Sequence, residues 1–284
     1  MAAVLGTNIA SIWASKNLQS AQSDMANSVE RLSSGLRINR AKDDAAGLGI
    51  ANALTQQING ANQGIRNLND GISMVQTAEG AIAAASEMAQ RILTLATQGA
   101  NGSMSADQTA AIKNEMLQLW TSIGSIQTRT KFSGVTLLGA SADITIKSSN
   151  VASDTVTLDA AVSLYAIYDN SGTSDTNEQF YTAINAAISA PTSFNTIVTE
   201  ANAYITSLDT QRSKLGALQN QMEYSVSNVT EMSANLQAAR SRIIDTDYAS
   251  ETAALTKGQI LQQAATAMLA QANQMPNVIL SLLK

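Results

Sequence analysis

The sequence of 284 residues contains no histidine and no cysteine. Without histidine there is no imidazole for general acid–base catalysis, for a Ser-His-Asp triad or for a His-bearing zinc site. Without cysteine there is neither a disulfide framework nor thiol chemistry. The glycine-rich phosphate-binding loop and the dinucleotide-binding fingerprint are missing as well. We therefore expect no enzyme activity, no catalytic or metal site and no cofactor.

Aromatic residues make up 4% of the chain, only two residues are proline, and the net charge is −5. Few aromatics and prolines favour long helices in close contact over a compact globule. A negative net charge without a stripe of Lys and Arg argues against a nucleic-acid partner. No basic segment, apolar run and cleavage site open the sequence, so we expect no cleavable secretory signal.

Charge is scarce at both ends of the chain. Residues 1–15 carry none, and residues 258–283 carry none. The second stretch is long enough to cross a bilayer, but its Gln and Asn residues and Pro276 make insertion costly, so we expect no membrane span. Leu18, Met25 and Val29 recur at helical spacing near the first end. We expect two charge-poor terminal helices that lie side by side and bind copies of this chain.

Two long heptad patterns occupy the interior of the chain. The first consists of Leu54, Ile58, Ala61, Ile65, Leu68, Ile72, Val75 and Ile82. The second consists of Leu208, Leu215, Met222, Val229, Leu236 and Ile243, with Gln211, Leu218, Ser225 and Met232 as companions. A sustained 3.5-residue period marks a coiled-coil seam, so we expect an antiparallel rod whose chain runs out and returns. Glu79, on the seam, is either a water-facing position or a register pin.

A region of mixed structure separates the two patterns. Residues 144–147 and 155–158 alternate like short strands, and residues 180–188 resemble a helix. The polar loop from Asp169 to Asp175 is either a plain turn or a Ca²⁺ loop that lacks the closing Glu of an EF-hand. Before this region, Ser105 and Gln108 form a predicted capping box for a helix that follows a turn at residues 99–102.

The sequence thus predicts a mainly α fold, with a long antiparallel coiled-coil rod, paired terminal helices and one small mixed α/β outer domain. The predicted divisions are a terminal helix with its joint (1–43), the rod (44–138 and 199–243), the outer domain (139–198) and the last helix (244–284).

Glycine and charge interrupt the helical pattern between the first helix and the rod. This segment, which we call the joint, contains Ser33, Ser34, Gly35, Arg37, Arg40, Lys42, Asp43 and Asp44. Such a cluster is either a solvated loop or a connection between two helical layers.

Three stretches resemble one protein family. ERLSSGLRINRAKDDAAGLGIANAL, at residues 30–54, closely resembles the N-terminal signature of bacterial flagellins. ATAMLAQANQMPNVILSLLK, at residues 265–284, resembles their C-terminal signature, and NLNDGISMVQTAEGAI at residues 67–82 is similar too. The resemblance covers about residues 1–140 and 200–284 and leaves the middle region unmatched.

The resemblance implies a subunit that polymerises into the extracellular flagellar filament for swimming motility. It implies export without a cleaved signal through the flagellar secretion apparatus, an export chaperone, and contacts with the flagellar cap and hook-junction proteins. The paired terminal helices would line the filament core, and the joint would lie between two layers. The residues expected in that core are Leu18, Met25, Val29, Leu32, Leu261, Met268, Leu280 and Leu283.

The resemblance also implies a surface for a Toll-like innate immune receptor, at Gln90, Arg91, Leu95 and Glu115. Leu93 and Thr94 depart from the family pattern, which usually has charged residues there. Two alternatives to the filament subunit stay open. One is a hook-filament junction protein, and the other is a flagellin-like cell-surface protein that binds polysaccharide. In the second, Tyr165, Tyr168, Phe180 and Tyr181 would either stack on sugars or pack in a core.

Overall fold

A computed structural model describes residues 8–139, 143–149, 153–158, 167, 176–186 and 191–282, and side chains as far as residue 274. This described part contains six helices and two antiparallel hairpins. The helices are α1 Ile9–Ser34, α2 Ala45–Gly99, α3 Ala106–Arg129, α4 Thr176–Asn185, α5 Pro191–Ile244 and α6 Tyr248–Leu282. The strands are β1 Lys131–Phe132, β2 Val135–Thr136, β3 Ile144–Lys147 and β4 Thr155–Leu158. The fold is mainly α, as the sequence predicts. Among the described helices, none is both long enough and apolar enough to traverse a lipid bilayer.

The chain divides into two compact units, residues 59–233 and residues 1–58 with 234–284. The core of the first unit is the seam between α2 and α5. Leu68, Val75 and Ile82 of α2 lie in one buried cluster with apolar residues of α5. The α5 members at heptad spacing are Leu208, Leu215 and Met222. The coiled-coil prediction is therefore confirmed in this unit.

The contacts along the seam fix the direction of the two helices. Gly99 lies against Phe194, Gly71 lies against Met222, and Ser233 donates a hydrogen bond to Asn62 at 3.1 Å. Since residue numbers fall along α2 while they rise along α5, the helices are antiparallel.

The seam shifts by one residue toward the end of the second heptad pattern. Met232 is 38% exposed, although its spacing predicts burial, and Ser233 is buried in its place. A straight helix drifts by about 20° per heptad relative to a 3.5-residue period, so residues at heptad spacing gradually turn away from the partner helix unless the helices supercoil.

Glu79 likewise lies beside the seam, and the buried Ala78 occupies the seam position. Its carboxylate is 3.7 Å from the Arg212 guanidinium, and both side chains are partly exposed. Glu79 therefore faces water in part and also contacts the partner helix α5 through Arg212.

The two predicted strands form the β3–β4 hairpin, in which Ile144 pairs with Leu158 and Lys147 with Thr155. This hairpin lies directly on α2. The Asn67 side chain donates a hydrogen bond to the Lys147 carbonyl at 3.0 Å. A Cβ added at Gly64 would come within 1.7 Å of the Ser148 carbonyl oxygen, so only glycine permits this approach.

Three aromatic side chains join the middle region to the helices. Trp120 of α3, Phe180 of α4 and Tyr204 of α5 are almost fully buried, and their ring centroids are 5.1 to 5.3 Å apart. The Tyr204 hydroxyl donates a hydrogen bond to the Ile167 carbonyl, and burial raises the pKa of this phenol. Lys113 of α3 donates hydrogen bonds to the Asn185 and Ala186 carbonyls at the end of α4. The described residues of the middle region thus share one core with α2, α3 and α5.

Two smaller predictions concern helix ends. The capping box at α3 is confirmed, since the Ser105 hydroxyl accepts from the Gln108 amide and the Gln108 side chain accepts from the Ser105 amide. The helix expected at residues 180–188 is α4, which begins four residues earlier, at Thr176. The loop from Asp169 to Asp175 lies outside the described residues.

We predict that Gly64→Ala destabilises the unit of residues 59–233 by about 1–3 kcal/mol, because the new methyl group collides with the Ser148 carbonyl. Gly80→Ala is the matched control, since Gly80 also lies in α2 but has nothing within 4 Å of an added Cβ. That variant should gain roughly 0.5–1 kcal/mol from helix propensity. Urea unfolding of the monomer measures both changes. Equal effects of the two substitutions would contradict the close contact between hairpin and helix.

Candidate functional site: the terminal helices and the joint

The two terminal helices pack against each other along a face of small residues. Ala21 and Ser28 of α1 and Ala272 of α6 are buried. The Cβ position of Gly258 is 3.5 Å from the Met25 Cβ, so the two backbones approach closely. The contact is antiparallel, because residues near the start of α1 meet the end of α6.

Polar contacts hold the two ends of this helix pair. The Asn8 side chain donates a hydrogen bond to the Ala272 carbonyl at 2.7 Å, and it also caps α1 by accepting from the Ser11 amide. At the other end the Arg31 guanidinium is 3.6 Å from the Glu251 carboxylate. The predicted pairing of the terminal helices is therefore present within one chain.

The pair leaves large apolar side chains exposed. Trp13 and Ile260 are each 60% exposed, and Met268 is 62% exposed. Other large apolar residues exposed on the described parts of α1 and α6 include Ile9, Ile12, Val29 and Leu261. Exposed hydrophobic side chains in such number mark an interaction surface rather than a solvent-facing one. We call these seven residues the outer apolar set.

The predicted core residues fall into two groups. Leu18, Met25 and Leu32 are half-buried against the rest of their unit. Val29, Leu261 and Met268 belong to the outer apolar set, while the side chains of Leu280 and Leu283 lie outside the described residues. Val29 is 50% exposed in the single chain, and its burial in a polymer core stays a prediction. Close packing against α6 selects the small-residue face with Ala21 and Ser28.

The joint begins where α1 ends. Gly35 has a positive φ of 72° and donates its backbone N–H to the Arg31 carbonyl, which is the usual left-handed helix cap. The Tyr248 hydroxyl lies 2.9 Å from the Cβ position of Gly35. Both the positive φ and this close contact therefore disfavour any side chain at position 35. No pattern in the sequence indicates this role of Tyr248, which begins α6 and belongs to no repeat.

The joint is tied to the end of α5 by backbone hydrogen bonds. Arg37 donates its backbone amide to the Ile244 carbonyl at 2.6 Å, and Thr246 donates to the Gly35 carbonyl at 2.9 Å. The Arg37 guanidinium donates to the Ile243 carbonyl at 2.5 Å. Beneath these bonds, the buried Ile38 packs with Ala51 and Ile244. The segment is thus ordered by contacts from both halves of the sequence.

The acidic residues of the joint cap backbone amides. The Asp43 carboxylate accepts from the Arg40 amide at 2.9 Å and from the Asn39 amide at 3.2 Å. The Arg40 bond is the main cause that holds the pKa of the Asp43 carboxyl below its usual value. Asp44 accepts from the Gly47 amide at 2.8 Å in the first turn of α2.

Among the basic residues of the joint, Arg40 pairs with Glu30 at 2.9 Å. Ser34 accepts a hydrogen bond from the Leu36 amide at 3.1 Å, whereas Ser33 and Lys42 are exposed. The joint is therefore not a free loop. In the part of the chain that the structure describes, no group of three or more acidic side chains could hold a metal ion.

Comparison with known proteins places these features in a family. Residues 5–143 match the bacterial flagellin N-terminal helical region, and residues 197–283 match the bacterial flagellin C-terminal helical region. The chain belongs to the bacterial flagellin family. It is 38% identical over 282 residues to the flagellin of Halalkalibacterium halodurans, covering 99% of this chain and all of that one. It is 36% identical over 289 residues to the flagellar filament 33 kDa core protein of Treponema phagedenis, with 99% and 100% coverage.

A solved structure from Vibrio parahaemolyticus, described as a flagellar hook-associated protein, shares the fold with a TM-score of 0.59. The match covers 72% of this chain and all of that one, and the identity is 13%. At this identity the likeness shows the fold alone. The two family matches and the identity to curated flagellins confirm the resemblance that three separate stretches of sequence show.

The flagellin family resemblance also predicted a receptor surface on α2 and α3. Arg91 donates two hydrogen bonds to the Glu115 carboxylate, at 2.8 and 3.2 Å, and both side chains are about half exposed. Gln90 is exposed beside them, but Leu95 is 2% exposed and belongs to the core. Leu95 is thus unable to contact a receptor, because its helical position faces the seam. The surface of Gln90, Arg91 and Glu115 stays a prediction.

We predict that Gly35→Ala weakens the joint locally, since alanine at positive φ costs about 1–2 kcal/mol and the methyl group also meets Tyr248. Native-state hydrogen exchange at the Arg37 and Thr246 amides should become faster. Adding Tyr248→Phe should restore part of the protection.

Gly134→Ala serves as the control for this substitution. Gly134 also has a positive φ, of 86°, but an added Cβ meets nothing within 4 Å. This variant should leave exchange at Arg37 and Thr246 unchanged. Unaltered protection in Gly35→Ala would show that the glycine is not required by the joint.

Proposed function

We propose that this flagellin acts by assembly and not by catalysis, as a subunit exported from the cell that polymerises into the filament used for swimming. The single observation that carries the proposal is the outer apolar set on α1 and α6, which one chain leaves exposed. A subunit that covers such a surface with copies of itself gains about 25 cal/mol for each Å² of apolar area removed from water. Contacts between unlike surfaces of identical subunits produce helical polymers when the rotation between subunits does not close into a ring.

The terminal helices suit this role in their charge as well as in their exposure. The last charged side chain before Lys284 is Lys257, so α6 beyond it presents only apolar and uncharged polar groups. A helix pair of this composition is costly to leave in water and inexpensive to bury. We propose that the pair lies toward the filament core, that residues 44–138 and 199–243 surround it, and that the middle region lies outermost.

The remaining partners follow from this function. Export through the flagellar secretion apparatus with a chaperone, and contacts with the cap and hook-junction proteins, are parts of the same proposal. The alternative of a polysaccharide-binding protein loses one supporting feature, because Phe180 is fully buried in the core instead of exposed to sugar. Tyr181 is partly buried against that core, and Tyr165 and Tyr168 lie outside the described residues.

Seeded growth tests the assembly surface. We predict that Leu261→Asp monomers add to filament fragments at least about tenfold more slowly than the unsubstituted protein, because a buried unpaired charge opposes docking. The matched control is Gln263→Asp, which places the same charge at an exposed polar position two residues away on α6. Light scattering follows elongation, and circular dichroism verifies that both monomers keep their helices. Equal elongation rates of the two variants would show that α6 is not part of the interface.

We further propose that the joint couples the terminal helix pair to the heptad helices and thereby influences filament shape. Asp43 carries this proposal, because its carboxylate fixes two backbone amides in the turn before α2. Asp43→Lys should change the helical pitch of filaments, whereas the neighbouring Lys42→Glu, at an exposed position, should preserve it. Electron microscopy of filaments grown from each variant measures the pitch. Identical filaments from both variants would contradict the coupling.

A further inference from the structure

The sequence contains two Asn-Gly pairs, and the structure places them in contrasting surroundings. Asn59 and Gly60 lie inside α2, whereas Asn101 and Gly102 lie in the turn between α2 and α3. An asparagine followed by glycine is chemically unstable, because glycine has no side chain to shield its backbone nitrogen. The two pairs therefore offer an internal comparison of one reaction in two backbone settings.

The reaction is deamidation. The backbone nitrogen of the glycine attacks the asparagine Cγ, a new N–Cγ bond forms, and the bond from Cγ to Nδ2 breaks. The departing NH₂ group takes up the glycine amide proton and leaves as ammonia. Water then opens the five-membered succinimide at either carbonyl and gives aspartate or isoaspartate. The sum is asparagine plus water giving an acid plus ammonia, with no oxidation or reduction.

Asn101 is arranged for this attack. Its side-chain oxygen accepts a hydrogen bond from the Ser103 amide at 3.4 Å. A side-chain carbonyl that reaches the amide two residues along forms an Asx-type turn, which folds Cγ back beside the intervening nitrogen. That nitrogen belongs to Gly102. Asn101, Gly102 and Ser103 are all exposed, so water and base reach the turn.

The backbone nitrogen of Gly102, which makes the attack, is also free to react. Asn101 donates its own amide to the Gln98 carbonyl at 3.2 Å, and Ser103 donates to Asn101. Within the described ranges, the Gly102 amide makes no hydrogen bond. The turn therefore reaches the reactive backbone geometry without breaking a backbone bond of Gly102.

Asn59 has the same neighbour but lacks this freedom. It lies far from either end of α2, where the amide of residue 60 belongs to the i→i−4 hydrogen-bond ladder. Attack on Cγ requires the local helix to open first. Opening there also exposes buried seam residues on both sides, Ile58 and Ala61.

We propose that Asn101 is a spontaneous deamidation site and that folding protects Asn59 from the same reaction. Each event adds one negative charge beyond the net charge of −5, and isoaspartate also lengthens the backbone by one carbon. The new charge lies after the C-terminus of α2, where it is unfavourable, and four residues before the N-cap Ser105 of α3. The fraction of subunits that are deamidated at Asn101 therefore increases with the age of the protein.

Peptide mapping by mass spectrometry tests the proposal on the purified full-length protein, aged in mildly alkaline buffer. Asn101 should convert at least about tenfold faster than Asn59 in the folded protein. In urea the two rates should converge, because both pairs then share an unfolded backbone. Equal rates in the folded protein would overturn the proposal. A persistent difference in urea would also overturn it, since sequence and not structure would then select the site.

Gly102→Ala is the matched variant. Its methyl group shields the attacking nitrogen, so conversion at Asn101 should fall markedly while Asn59 is unaffected. Isoelectric focusing gives an independent readout, because the acidic species that accumulate in the unsubstituted protein should be absent from this variant. The same acidic species in both proteins would place the modification elsewhere and refute the assignment to Asn101.

Discussion

The antiparallel seam between α2 and α5 is the contact on which the rest of this flagellin depends. It joins residues that are distant in sequence, such as Val75 with Leu215 and Met222, in one buried cluster. Loop closure over so long a span is unfavourable in entropy, and continuous apolar burial along two long helices compensates for it. Helices α3 and α4 and the β3–β4 hairpin all contribute side chains to this same buried cluster.

The middle region shows how a segment of different composition attaches to a helical frame. Its hairpin approaches α2 where Gly64 leaves room, and its helix α4 contributes Phe180 to the ring cluster with Trp120 and Tyr204. Glycine allows the backbone approach, and the aromatic side chains provide large apolar area in specific geometry. The described part of this region is therefore integrated in a helical core, although its sequence reads as a separate mixed domain.

The contact between the terminal helices differs from this core, because it buries small side chains and leaves large ones exposed. Their mutual contact uses small residues such as Ala21 and Gly258, which permit close approach but bury little apolar area. The large side chains, among them Trp13 and Met268, face away from that contact. The terminal helices thus leave large apolar side chains exposed, which is consistent with membership of a filament-forming family.

The sequence by itself determined the family, the helical class, the heptad seam, the α3 capping box and both strands of the hairpin. The family followed from the resemblance of three stretches, whereas the other features depend on local periodicity and on neighbouring residues, which a linear pattern records directly. Only the tertiary structure decided that Val29 and Met232 are exposed, that Leu95 is buried, and that Tyr248 covers Gly35. Each of these depends on which face of a helix meets a partner, and helix twist with close packing of distant small residues sets that face.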